Sequence, residues 1–97
     1  MLTTIIAQNE KTKKHIAISI DISKISYISS LSLEKTPSSQ VASFDIIIDG
    51  IEKTFSNSDE ELMKTFYKNL GDSLIEYDPS IKDIRYYDVE IVSKTKQ

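Results

Sequence analysis

FDIIIDGIEKTFSNSDEELMKTFYKNLGDSL, from Phe44 to Leu74, carries the clearest folding instructions in the chain. Its first part reads as a β-hairpin. With Asp49 and Gly50 at the two central positions of a tight turn, Ile48 stands opposite Ile51, Ile46 opposite Lys53 and Phe44 opposite Phe55. Both central residues of the favoured hairpin turn need positive φ, which Gly adopts freely and Asp tolerates better than most residues. One face of this hairpin is almost wholly apolar, whereas the other carries Asp45, Ile47, Glu52 and Thr54. A slip of one residue would move both phenylalanines to the wet side, so the register is well specified.

A helix follows. Ser58 lies three residues before Glu61, an arrangement in which hydroxyl and carboxylate each satisfy a free backbone N–H, and the helix dipole favours Asp59 and Glu60 nearby. Leu62, Phe66, Leu70 and Leu74 recur every four residues, with Met63 and Tyr67 widening the stripe, while Lys64, Lys68, Asn69 and Asp72 fall elsewhere on the wheel. The stripe should lie on the sheet. Gly71 offers a possible early cap, yet Leu74 and Ile75 continue the periodicity and favour the longer helix, which Asp78-Pro79 must end.

Outward from this unit the chain reads as strands. Leu2 to Ala7 forms a first strand, and the polar run Gln8 to Lys14 connects it to a second, in which Ile16, Ile18, Ile20 and Ile22 alternate with small or polar residues. From Ile25 the apolar positions become odd-numbered through Tyr27, Leu31 and Leu33, so a turn or bulge is expected between Asp21 and Lys24. Glu34 to Gln40, with Pro37, reads as a loop. A last strand follows a turn at Asp78 to Lys82, with Tyr87, Val89 and Ile91 on one parity and Tyr86, Asp88, Glu90 and Val92 on the other. The expectation is a single α+β domain over residues 1–97 with a flexible tail at about 94–97. Its order is β-β-β-β-β-α-β, about six mainly antiparallel strands with one amphipathic helix on one face. Serines between Ser19 and Ser43, interleaved with apolar residues, are expected on a solvent-facing sheet surface.

Composition narrows the chemistry. Without cysteine, disulfide scaffolds, thiol catalysis and thiolate zinc sites are excluded together. His15 is the sole histidine and stands beside lysines, and no Gly-x-Ser-x-Gly elbow is present, so no nucleophile and base pair is legible. Asp78, Asp83 and Asp88 lack the glycine and terminal glutamate of a calcium loop, and helix capping accounts for Asp59 to Glu61. The reading is therefore no catalytic residue, no metal and no cofactor, hence not an enzyme. No apolar run approaches the roughly 20 residues that span a bilayer, and the start lacks the charged region of a signal peptide, so a cytoplasmic protein without membrane association is expected.

Two binding surfaces suggest themselves. Tyr86, Asp88 and Glu90, on one parity of the last strand, form an acidic and aromatic strip suited to a basic protein partner, reinforced if that strand is a sheet edge. The alternative is a nucleic-acid contact through Lys11, Lys13, Lys14 and His15 together with Lys94 and Lys96, against which stands the net charge of −3. Homodimerisation through a sheet edge is open to a small strand-rich domain. In size, mild acidity and lack of catalytic groups the chain is similar to inhibitor and accessory proteins carried by phages and mobile elements, a likeness of composition that covers no motif. The leading expectation is a non-enzymatic protein-binding module, an inhibitor or accessory protein that acts by occupancy through a sheet face or edge.

Overall fold

The computed structural model describes residues 2–78 and 89–93. The element order is β1 (Leu2–Gln8), β2 (His15–Asp21), a 3₁₀ turn (Ile22–Lys24), β3 (Ile25–Ile28), β4 (Leu31–Thr36), β5 (Ser39–Ile48), β6 (Ile51–Asn57), α1 (Glu60–Tyr77) and β7 (Val89–Ser93). This is an α+β fold in which one helix packs on antiparallel sheets. β1 and β2 form a two-stranded sheet, and the other strands form a five-stranded one.

β5 organises the larger sheet. Its Ile46 to Ile48 pair with β3 and its Ser39 to Ser43 with β4, so β3 and β4 share one edge, while β6 occupies the other from Ala42 to Ile48. β7 then lies parallel to β4, with Leu31 opposite Val89 and Lys35 opposite Ser93. A strand returning after a helical crossover runs parallel for the ordinary topological reason that the helix has carried the chain back along the sheet.

The hairpin register is the expected one, with Phe44 opposite Phe55, Ile46 opposite Lys53 and Ile48 opposite Ile51. Asp49 and Gly50 take φ of 54° and 79°, the double positive-φ turn that matches strand twist. α1 runs through Gly71 to Tyr77, and Leu62, Met63, Phe66, Tyr67, Leu70 and Leu74 are all buried. These meet Ala42, Phe44 and Ile46 of β5, Leu31 and Leu33 of β4, Ile5, Ala7 and Ile20 of the β1–β2 unit, and Ile22 of the 3₁₀ turn in one core. The side-chain amide of Asn69 also donates to the Ile6 carbonyl at 2.7 Å, tying the helix to β1.

Three local expectations are corrected. The segment Glu34 to Gln40 is not a loop: β4 runs to Thr36 and β5 starts at Ser39, leaving Pro37 and Ser38 as a tight turn. Proline pre-sets the first central position of such a turn, and the Ser39 N–H donates to the Thr36 hydroxyl at 3.1 Å. The helix is capped by Asp59, whose carboxylate accepts from the Leu62 N–H at 3.1 Å, one residue later than the Ser58 expectation. The stretch from Ile25 to Leu33 is split into two strands, and its phase is reset by a register shift between Ile25 and Tyr27. Consequently Ile28 is buried and Tyr27 is 50% exposed.

That split is held by hydrogen bonds. Ser29 donates its N–H to the Asp45 carbonyl at 2.9 Å and accepts the Asp45 N–H on its hydroxyl at 2.8 Å. From the helix side the Tyr67 hydroxyl donates to the Ser29 carbonyl at 2.7 Å. Replacing Tyr67 by Phe keeps the ring and deletes this donor, and is expected to cost about 1 kcal/mol of unfolding free energy. Urea titration of the two proteins reads the difference, and an unchanged midpoint would show that the bond contributes nothing.

Candidate binding surface

Because Leu31, Leu33, Ala42, Phe44 and Ile46 point to the core, strand alternation sends the intervening residues to the opposite face of the five-stranded sheet. No described element covers that face. Tyr27 of β3, Ile47 of β5 and Glu52 of β6 form one row across it. Asp45 and Thr54 form the next, with the Thr54 hydroxyl donating to the Asp45 carboxylate at 2.6 Å. Ser32, Ser43 and Ser56 form a third, and Glu34 stands opposite Val41 in a fourth. The serines do face outward, as the sequence led one to expect. On β3 to β6 this face carries three acids, Glu34, Asp45 and Glu52, and no basic side chain. Apolar area is interspersed, with Tyr27 50% and Val41 38% exposed and Ile47 half-buried.

Of the strip expected on the last strand, only one residue falls among those described. Tyr86 and Asp88 lie outside the described residues, whereas Glu90 occupies the β7 register position beside Ser32. Glu34, Tyr27, Asp45, Ile47 and Glu52 have the acidic and aromatic character sought in Tyr86, Asp88 and Glu90, on neighbouring strands. The alternation of β5 and β6 already put Asp45, Ile47, Glu52 and Thr54 on one face. Tyr27 was hidden by the register shift beside it, which apolar spacing does not reveal.

The basic loop occupies the opposite end of the helix from Tyr77. Lys11, Lys13 and Lys14 are exposed, as is His15, which opens β2 opposite Gln8. The loop is clamped to the helix start. The Asn9 amide donates to one oxygen of Asp59 at 2.8 Å and the Thr12 hydroxyl to the other at 3.0 Å, while Asn9 also caps the N–H of Lys11 at 2.9 Å. Lys13 adopts φ of 65° to close the turn, with its N–H on the Asn9 carbonyl at 2.8 Å. Lys94 and Lys96 lie outside the described residues. Ser93 pairs with Lys35, whose ammonium reaches Glu60 at 3.9 Å, so the described end of β7 approaches the same helix terminus. There the basic loop shares space with Asp59, Glu60 and Glu61, which line a shallow depression with Thr12 and Lys14. Acidic side chains thus stand directly beside Lys14 of the basic loop.

Electrostatics at this end are structural. The Leu62 N–H, then the Asn9 amide, the Thr12 hydroxyl and the charge of Lys14 hold the Asp59 carboxyl below its usual 3.8. Lys64, at 2.9 Å, lowers Glu60 and is itself raised by it, an exposed pair of the kind that adds little to stability. For Asp59 the folded pKa lies below the unfolded one. Its contribution is thus fully present above about pH 4 and lost as pH falls through the folded value. Acid is expected to release the loop clamp and cap together, seen as a lowered protection factor of the Leu62 amide proton, relative to its intrinsic exchange rate at each pH, and altered Thr12 resonances. Asp59→Asn should remove this pH dependence, and a clamp that persists unchanged through the Asp59 titration would contradict the assignment.

Among the described residues no group of three or more His, Asp or Glu is arranged to hold a metal ion, and no helix is long and apolar enough to cross a membrane. No protein-family model matches the chain, and neither a curated protein nor a solved structure shows significant similarity to it.

Proposed function

We propose that this chain is a non-enzymatic protein-binding module, an inhibitor or accessory protein, whose outer sheet face covers a basic surface of a partner protein. The observation that carries this reading is the outer face itself, which no described element covers and on which Glu34, Asp45 and Glu52 are arranged around Tyr27, Ile47 and Val41. Such a face pairs aromatic and aliphatic area for desolvation with a single sign of charge for orientation and encounter. Its rigidity suits binding by occupancy. Five hydrogen-bonded strands and a packed helix fix the positions of the face residues, which limits the ordering cost on association.

Affinity capture from lysate of the source cell, with and without nuclease and over a salt series, tests this reading. A retained protein whose capture survives nuclease and weakens moderately with salt is the expected result. Recovery that disappears on nuclease treatment, or that falls with the steep salt slope of phosphate neutralisation, would transfer the role to the Lys11 to His15 loop.

A further inference from the structure

Two strand edges that no described strand pairs meet at one groove. Among the described strands β2 bonds only to β1 and β6 only to β5, and between them lies a groove of about 310 Å³ lined by Leu2, Ile18, Ile20, Ile48, Lys53 and Phe55. Ile18, Ile48 and Phe55 are half-buried residues packed on the core, so the core reaches solvent along this line. Beside it Ile51 is 61% and Leu2 70% exposed.

The hairpin geometry states which backbone groups of β6 are available. Across a two-residue turn the flanking pair, Ile48 and Ile51, exchanges hydrogen bonds, and such pairs alternate along an antiparallel ladder. Ile51, Lys53, Phe55 and Asn57 therefore bond to β5, whereas Glu52, Thr54 and Ser56 direct their N–H and C=O groups to the open edge.

We propose that β6 accepts an extended segment of the partner protein as an added strand, with basic and apolar side chains alternating along it. This rests on the reading that the outer face receives a basic partner. Side chains of the added strand opposite Glu52 and Thr54 fall on the outer face, next to the carboxylates of Glu52 and Asp45, where basic groups are complementary. Those opposite Lys53 and Phe55 fall over the groove, where Leu2, Ile18, Ile20 and Ile48 receive apolar groups. Main-chain bonds supply affinity and the two rows of side chains supply selectivity. A second copy of this chain is a poorer occupant, because its β6 would bring its Glu52, with Asp45 of its β5 behind, to the same face, like charge against like charge.

The test titrates the isotopically labelled full chain with a peptide of about eight residues alternating lysine and valine, flanked by proline against self-association, and a control with glutamate for lysine. The lysine peptide is expected to slow amide exchange at Glu52, Thr54 and Ser56 by on the order of tenfold or more, and the glutamate peptide is not. Thr54→Pro removes an outward N–H without a β5 bond and should weaken binding by on the order of tenfold, with Ser56→Pro as the second variant should the first fail to fold. Failure of the lysine peptide to bind, binding without protection of those three amides, or undiminished binding by the folded proline variant would overturn the proposal. Partner capture separates the two readings. If Thr54→Pro still captures the lysate partner while Tyr27→Ala with Glu52→Lys does not, strand addition falls and the face reading stands; if the face variant captures it undiminished, the face reading falls.

Discussion

Phe44→Ala is expected to lower the unfolding free energy by about 3 to 5 kcal/mol, the range for removing a buried aromatic ring from a packed core. Phe44 is 2% exposed and lies at the centre of the only place where β5, β6 and α1 bring aromatic rings together among the described residues. Its ring centroid is 5.5 Å from that of Phe55, 5.8 Å from Phe66 and 4.9 Å from Tyr67, and Phe55 in turn meets Phe66 edge-on at 5.4 Å. Deleting it removes three ring contacts and leaves a void whose walls are fixed by strand pairing on one side and the helix on the other. A small domain has a total stability of about 5 to 15 kcal/mol, so this one change takes a large share. Urea unfolding should show a strongly lowered midpoint. Phe55→Ala should cost less, because that side chain is half-buried at the groove. Equal losses from the two would mean that the core is not centred where the burial places it.

Tyr27→Ala combined with Glu52→Lys is expected to reduce partner affinity by about a hundredfold while leaving stability within about 1 kcal/mol. Tyr27 is the large aromatic of the outer face, and truncating such an anchor commonly costs more than about 1 kcal/mol of binding energy. Glu52 is exposed at the end of the same row, and reversing its charge places a lysine where a basic partner approaches. The loss should be divided between the rate constants. Charge reversal slows association and steepens with falling salt, whereas loss of the ring speeds dissociation.

The parts legible in the sequence are those fixed by local chemistry. Asp49-Gly50 dictates a turn that only a few residue types permit, and from it the pairing of Phe44 with Phe55 follows by counting. The four-residue recurrence of Leu62, Phe66, Leu70 and Leu74 outweighed Gly71 because burial of the stripe exceeds the cost of one interior glycine. Pro37 misled for a physical reason. Proline marks chain reversal but not its length, and the short turn became visible only with Thr36 and Ser39 bonded across it. Tyr27 misled because a bulge changes which parity faces the core, and a bulge is decided by tertiary partners, here β5, whose Ile47 carbonyl accepts the Ser26 hydroxyl at 3.4 Å. Ser58 lost the cap to Asp59 because that carboxylate serves a second purpose, holding Asn9 and Thr12 from a loop roughly fifty residues away in the chain. The candidate face shows the same division. The alternation of Asp45, Ile47, Glu52 and Thr54 was readable, but their union with Tyr27, Glu34 and Val41 depends on strand order, which no local pattern encodes.

The central claim is that the outer face of the five-stranded sheet is where this protein meets its partner. Quantitative capture from nuclease-treated lysate by the native chain and by Tyr27→Ala with Glu52→Lys, with matched unfolding curves, tests it most directly. A protein retained by the native chain and lost from the equally stable variant is the result this account predicts. Equal retention by both would contradict it.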